Sequence, residues 1–427
     1  MAAPGWTYPG RLSPRRRFNA FGCSYNRLGE MDMTRIAVLA ALGFTLAGTA
    51  GVYAEILAMA NYESKPADAL KAFRHPVAGQ TRQEGIAIID VDPASPNFKK
   101  IVETIELPPD LVAHHIFYSR TSSKAYVTSL AKGELGVIDM AKRPFTMKRI
   151  AVPDCKVGED VVFSGDNKTW YLSCMGSANV IVGDAIKDEA LKTIAVPNTY
   201  PHGIAIHDGI DRILVTSTVR ATDLGDPGET ITAIEASTGK ISGTYKVSSK
   251  PSPSGEAPVE VLFVPGSNPP IAYVTNMFGG TLWTATWDAA KKDFTVAQVF
   301  DFASIKAGVP LEIYFSSKGG KADQLHVTTA KPGHLHIFDI SKDVGKPQLL
   351  KSIAAAEGAH HVAYTNDGKL AFVQNSLLNL PGMNDGSITV VDLVKGEAIG
   401  SVDTLKDQGF APNSLVLLPQ WNDLAGH

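Results

Sequence analysis

The chain is poor in the residues and patterns that mark several large protein classes. It has 3 cysteines in 427 residues, too few for a disulfide scaffold and without the CxxCH spacing of covalently attached haem. HExxH, GxSxG and glycine-rich phosphate loops are all missing, which removes the usual signatures of a zinc protease, a serine hydrolase and a nucleotide-binding turn. Lys and Arg number 40 against 43 Asp and Glu and form no basic stripe interleaved with aromatics, so a nucleic-acid partner is not expected. Convincing helical periodicity is absent from the main body of the chain.

The one long apolar run lies near the start. Residues 34–54, TRIAVLAALGFTLAGTAGVYA, have one arginine, an apolar stretch of about a dozen residues and a small-residue end, the layout of a secretory signal peptide cleaved after Ala50 or Ala54. The stretch is short for a bilayer span, so no stable membrane span is expected after processing and the product is periplasmic or secreted. Residues 1–33, with Arg11, Arg15, Arg16 and Arg17 and the internal Met31 and Met33, read as an upstream extension. Removing residues 1–54 takes six Arg from the 40 basic residues and only Glu30 and Asp32 from the 43 acidic ones. What remains carries a net charge of about −7.

Residues 55–427 repeat. An apolar run ending in a small polar pair occurs seven times: ILAMAN at 56–61, AYVTS at 125–129, WYLSC at 170–174, ILVTS at 213–217, AYVTN at 272–276, LHVTT at 325–329 and AFVQN at 371–375. After each comes a second run, most often ending in Asp or Glu, such as GIAIID at 85–90 and SITVVD at 387–392, and then a weaker third such as KRIAVP. Six runs precede the first element of the next unit: AHHIFY, GEDVVF, PHGIAI, PVEVLF, PLEIYF and AHHVAY. A seventh, PNSLVL, stands near the C-terminus with nothing after it, while ILAMAN has no such run before it. A four-strand unit of about 40–50 residues repeated seven times predicts an all-β, seven-bladed β-propeller of four-stranded antiparallel blades. The C-terminal strand joins the N-terminal blade, which closes the ring and removes its open edges.

The innermost strand of a propeller blade starts at one end of the central channel. At the second position of these starts stand His114, Glu159, His202, Val259, Leu311, His360 and Asn413; at the third, His115, Asp160, Gly203, Glu260, Glu312, His361 and Ser414. Circular closure therefore gathers two His-His pairs and several carboxylates at one mouth. Imidazole suits copper, zinc, iron and nickel, and carboxylates ligate or fix the tautomer of a ligating ring, so a metal site is the reading this set favours. A polar funnel filled with ordered water is the other. Neighbours on a regular strand face opposite ways, so only one histidine of each pair need point inward.

AYVTN, AYVTS and ILVTS resemble the YVTN-type repeat of seven-bladed propellers, within the larger group that holds nitrous oxide reductase and cytochrome cd1. The resemblance spans essentially residues 55–420 and implies fold more firmly than activity. In nitrous oxide reductase, adjacent histidines at a strand start help hold a copper cluster; thiocyanate dehydrogenase and the selenium-binding proteins with methanethiol oxidase activity are similar in arrangement. The resemblance implies a copper-dependent oxidoreductase of a small molecule, with His114, His115, His202, His360 and His361 as ligands. Of the catalytic candidates Glu260, Glu312 and Glu159, the first two are expected to ligate or accept protons and Glu159, with Asp160, to orient imidazoles; a periplasmic redox partner is expected as well. Two departures stand out: Glu260 and Glu312 replace imidazoles, and no cupredoxin domain follows. Iron, as in carotenoid-cleaving oxygenases, and calcium, as in a metal-dependent lactonase using Glu159, Glu260, Glu312 and Asn413, are alternatives. A non-catalytic assembly propeller is a third, with the long loops 218–229 and 376–386 as its binding surface.

Smaller signals remain. Cys155 and Cys174 fall in one blade and suit a disulfide after export, with thiolate ligation as the alternative. His334 is expected near the channel, His326 and His336 as ordinary strand residues and His207 at the far, solvated end. Met277 follows AYVTN as a packing residue or a soft axial ligand.

Overall fold

The computed structural model describes residues 55–65, 82–318, 320–378 and 380–426, so the signal peptide and extension expected over residues 1–54 lie outside it. Each repeat folds as four antiparallel strands. In the second blade these are Ala113–Tyr118, Lys124–Ser129, Glu134–Asp139 and Met147–Ala151, counted outward from the channel. The inner strand AHHIFY is buried throughout because neighbouring blades cover both of its faces, whereas the outermost, MKRIA, buries only Ile150 fully. Continuous apolar runs inside and alternating charge outside therefore follow from position in the blade.

Seven such sheets form the ring, and among the described residues the only helical segments are two short 3-10 turns and Thr404–Asp407. The core is divided into wedges between blades. Between the second and third, Phe117 and Tyr126 pack with Phe163 and Trp170. That wedge also requires a glycine: a Cβ on Gly183 would lie 1.9 Å from the Trp170 ring.

Ring closure follows the expected route. Phe410–Leu417 pairs antiparallel with Leu57–Ser64, Ala58 facing Leu417 and Asn61 facing Ser414, and so supplies the inner strand of the first blade. The end of the chain adds something the repeat pattern did not foretell. Asn422–Asp423 pairs with Tyr364 and Thr365 at the end of the seventh blade's inner strand, and Phe315 N donates to Ala425 O at 2.7 Å. Residues 421–426 thus lie across the far end of the channel, opposite the histidine pairs.

Candidate metal centre

The inner strands are not regular where they begin. In the second blade Ala113 faces Ser129 and Ile116 faces Val127, so His114 and His115 together oppose Thr128 alone. The same β-bulge recurs at Gly158/Val161, Pro201/Ile204, Pro258/Val261, Pro310/Ile313 and Ala359/Val362, and in the closing blade it falls beside Asn413. A bulge suspends the strict alternation of side chains. The His114 and His115 rings consequently stack, with centroids 3.8 Å apart and 23° between planes, and His360 and His361 lie 4.2 Å apart. Both members of each pair are buried at the channel mouth, which corrects the expectation from plain alternation.

The small polar pairs of the repeat explain how the bulge is held. Its freed backbone N–H donates to the first polar side chain of the adjoining strand: His115 N to Thr128 Oγ1 at 3.0 Å, Asp160 N to Ser173 Oγ at 3.1 Å, Glu260 N to Thr275 Oγ1 at 3.3 Å and Glu312 N to Thr328 Oγ1 at 3.1 Å. Two of these hydroxyls also donate to the next blade, Thr275 to Leu311 O at 2.6 Å and Ser173 to His202 O at 2.5 Å, as does the equivalent Thr216 to Val259 O at 2.9 Å. The repeated Thr is thus a staple between bulge and neighbouring blade. Backbone strain adds to the definition: Val112, Val157, Tyr200 and Ala257, each just before an inner strand, and Val309, the second residue of another, have φ between 53° and 58°. Side chains with a Cβ rarely adopt this region, at about 1–3 kcal/mol each, and such residues cluster at functional sites.

The bulged residues form two layers. Third-position side chains make the lower one. His115 Nδ1 lies 2.8 Å from Asp160 Oδ1, leaving its Nε2 buried without a hydrogen-bond partner, and its ring meets that of His361 edge-on at 4.4 Å. Burial, reinforced by His114, His361, His202 and His360, holds the His115 imidazole well below its ordinary pKa, in the neutral form a metal requires. Glu312 reaches His360 Nε2 at 3.1 Å and His361 Nδ1 at 3.7 Å. Gly203 has no side chain here because the neighbouring blade fills the space; a Cβ would sit 2.5 Å from Val259 O and 2.8 Å from Glu260 Oε1.

In the upper layer Glu159 lies between His114 Nε2, at 3.2 Å, and His202 Nε2, at 3.6 Å. Burial pushes the Glu159 carboxyl up, but His114, His202 and His360 outweigh it and keep it ionised below the usual range. Three donor sets have atoms within 4.8 Å of one another: His115, His360 and His361; His114, His115 and Glu159; and Asp160, His202 and Glu260. All the ligand and carboxylate candidates read from the sequence therefore converge. Asn413 serves the scaffold instead, its Nδ2 donating to Ala113 O at 3.3 Å.

Above the upper layer is a cavity of about 40 Å³. His114, Glu159, His202 and His360 form its floor, and Met175, Val219, Leu224, Met277, Leu377 and Leu380 stand among its walls. The loops 218–229 and 376–386 thus fold inward as an apolar roof, with Leu224 and Leu378 also at positive φ. The clue in the sequence is leucine-rich chain, SLL and then Leu380, inside a loop. Met277 belongs to this roof.

The remaining candidates separate. Cys155 and Cys174 are joined, Cα to Cα 5.3 Å, so neither is a thiolate ligand. Cys174 occupies the second place of its polar pair, where Ser129 in the preceding blade donates instead to Leu111 O at 2.6 Å. Reducing this bond, which closes a 19-residue separation, is expected to lower stability by about 3 kcal/mol, read as a shift in denaturant midpoint against a Cys155→Ser, Cys174→Ser variant that shows no further shift. His334 does not approach the channel: it stacks on His336 and lies 3.3 Å from Pro332 O. His207 is half-buried against Phe263.

Burial lowers the pKa of His326 to about 4 and of His336 to about 3. A depressed imidazole is neutral when folded and takes a proton first in the unfolded chain. Its contribution is full above about pH 6.5 and is lost toward these lower values at about 1.4 kcal/mol per pH unit. Denaturation at pH 7, 6 and 5 should show a stability slope that is shallower in a His326→Gln, His336→Gln variant.

No family model matches the chain, and no curated protein matches it. Solved structures do. A hypothetical selenium-binding protein from Sulfolobus tokodaii is 14% identical with a TM-score of 0.66, over 87% of this chain and 95% of its own. A Bacteroides fragilis protein provisionally named a 6-phosphogluconolactonase is 13% identical with a TM-score of 0.55, over 86% and 99%. Hydrazine synthase of Kuenenia stuttgartiensis is 15% identical with a TM-score of 0.54, over 74% and 92%. At these identities the likeness is one of fold. The chain is a seven-bladed propeller with a buried cluster of histidines and carboxylates capable of holding a metal.

Proposed function

We propose that the protein is an exported, metal-dependent oxidoreductase, with copper as the metal, acting on a small molecule at the channel mouth. The observation that carries this reading is His115, whose Nδ1 is fixed by Asp160 while its buried Nε2 has no hydrogen-bond partner and its ring faces His361. A carboxylate behind an imidazole sets the tautomer that ligates, and a buried polar atom left alone is costly. His115, His360 and His361, with His114 and His202 nearby, would hold the ion; an imidazole-rich set suits copper better than calcium, which prefers oxygen. Copper supplies single-electron chemistry when bound. The chain's own groups exclude water through the apolar roof, orient the rings through Asp160 and Glu312, and offer Glu159, ionised and facing the cavity, as the acceptor for a substrate proton. A periplasmic redox partner would carry the electrons onward.

Kinship with the YVTN-type and nitrous oxide reductase-like propellers is part of this proposal and is supported by the repeat motifs. Hydrolysis of a phosphorylated sugar lactone fits less well, because no Lys or Arg is among the described residues lining the cavity to meet a phosphate. Elemental analysis and an electron paramagnetic resonance spectrum of protein isolated from the periplasm test the reading. Stoichiometric copper with a signal that changes on reduction is expected. Calcium alone, or no metal after loading, overturns it and points to a hydrolase or an assembly propeller.

A further inference from the structure

Resting on this reading of the site, we infer that the ligand admitted above the histidine floor is a neutral, apolar molecule of only a few heavy atoms, and that anions are excluded. Three observations converge on it. The first is size. A cavity of about 40 Å³ has room for only a few heavy atoms, so a sugar, a nucleotide or a peptide side chain with its backbone is too large.

The second is the wall chemistry. Met175 comes from the loop after the third blade's second strand, Met277 from the equivalent loop of the fifth blade, Val219 and Leu224 from the first long loop, and Leu377 and Leu380 from the other. Val259 and Leu311, at second positions where other blades place His or Glu, make one side of the floor apolar as well. Apart from the buried hydroxyl of Thr218 at the start of the first long loop, polar groups are confined to the floor, which would orient a ligand with its reactive atom toward His114, His202 and His360 and its apolar part toward the thioethers. Thioethers on unbranched chains adapt to small irregular shapes and to polarizable atoms.

The third is charge. Glu159 faces the cavity, and Asp160, Glu260 and Glu312 lie in the layer beneath. When ionised, these four carboxylates match the charge of two divalent ions and exceed that of one. A buried anionic ligand would meet that negative set with no lysine or arginine among the described lining residues, and an uncompensated buried charge is strongly disfavoured.

Three planar molecules of similar shape test the inference: isobutene, acetone and acetate, titrated into protein as isolated, with any bound metal reduced, carrying ¹³C-methyl methionine. The Met175 and Met277 methyl resonances, assigned through Met→Leu variants, should shift saturably with isobutene, at least tenfold more weakly with acetone, and not with acetate. Met277→Phe should fill the cavity and abolish the isobutene response while the Met59 and Met147 resonances stay in place; Leu380→Phe provides a second filling variant should the first fail to fold. Equal binding of acetate and isobutene, or no response to isobutene, overturns the inference. Metal content is measured on separate samples, so a protein that takes isobutene yet never binds metal refutes the oxidoreductase reading and leaves the ligand class standing.

Discussion

His115→Ala is expected to lose stoichiometric metal while keeping the propeller fold. Its ring lies 4.4, 6.0 and 6.0 Å, centroid to centroid, from those of His361, His360 and His202, and removing it takes away the donor common to two of the three candidate sets. Asp160→Asn should weaken the two sets that contain His115 through the same ring, because the amide no longer offers a charged acceptor to Nδ1, and it also alters a donor of the set formed by Asp160, His202 and Glu260. Loss of a carboxylate behind a ligating histidine lowers metal affinity by about 10–100-fold. Metal-to-protein ratios after dialysis against a graded chelator series measure both, with circular dichroism as the folding control. Retention of full stoichiometry by His115→Ala would remove this histidine from the ligand set. If Asp160→Asn lowered the unfolding temperature with unchanged affinity, its role would be structural.

Ending the chain at Gly409 is expected to prevent folding altogether. The lost segment contains the inner strand Phe410–Leu417, in which Leu415 and Leu417 are buried, followed by buried Leu418. Burying one such side chain is worth about 1.5–3 kcal/mol, so three approach the whole stability of a domain, about 5–15 kcal/mol. The loss would also reach the metal centre: Asn61 Oδ1 accepts from Ser414 N at 2.8 Å while its Nδ2 donates to His114 O at 2.7 Å, so the closing strand positions the backbone of the first His-His pair. Ending at Gln420 instead removes only the segment across the far end of the channel and should leave the ring closed. Expression as soluble monomer and the cooperativity of urea unfolding distinguish the two truncations. A soluble, cooperatively unfolding product ending at Gly409 would show that six complete blades and an incomplete first blade suffice.

Much of this molecule was legible before any coordinates. The runs AYVTS, WYLSC and AYVTN are local signals for buried strands, and their spacing counts the blades because each repeat must cover its neighbour's apolar face. The orphan strand near Pro412 and the orphan strand near Ile56 identified each other as halves of one blade. The gathering of His114, His202 and His360 followed from closure alone. Other features had no local signal. A valine at 112 or 309 carries no mark of a left-handed conformation, which a glycine would have suggested, and only packing at the channel mouth holds it there. The bulge was hidden for the same reason: an inserted residue is invisible until a partner strand shows two residues facing one, as His114 and His115 face Thr128.

By itself, then, the sequence determined the strands, the blade count, the closure and the chemical identity of the groups at the channel mouth, because these rest on periodicity and on position within a repeat. Tertiary structure alone decided that both members of each histidine pair enter the cluster, that Asp160 holds His115 while Glu312 bridges His360 and His361, and that two long loops roof the site with Leu and Met. Those outcomes depend on bulge geometry and on residues hundreds of positions apart meeting across a circle, and neither the period nor the composition of a single strand encodes such distances.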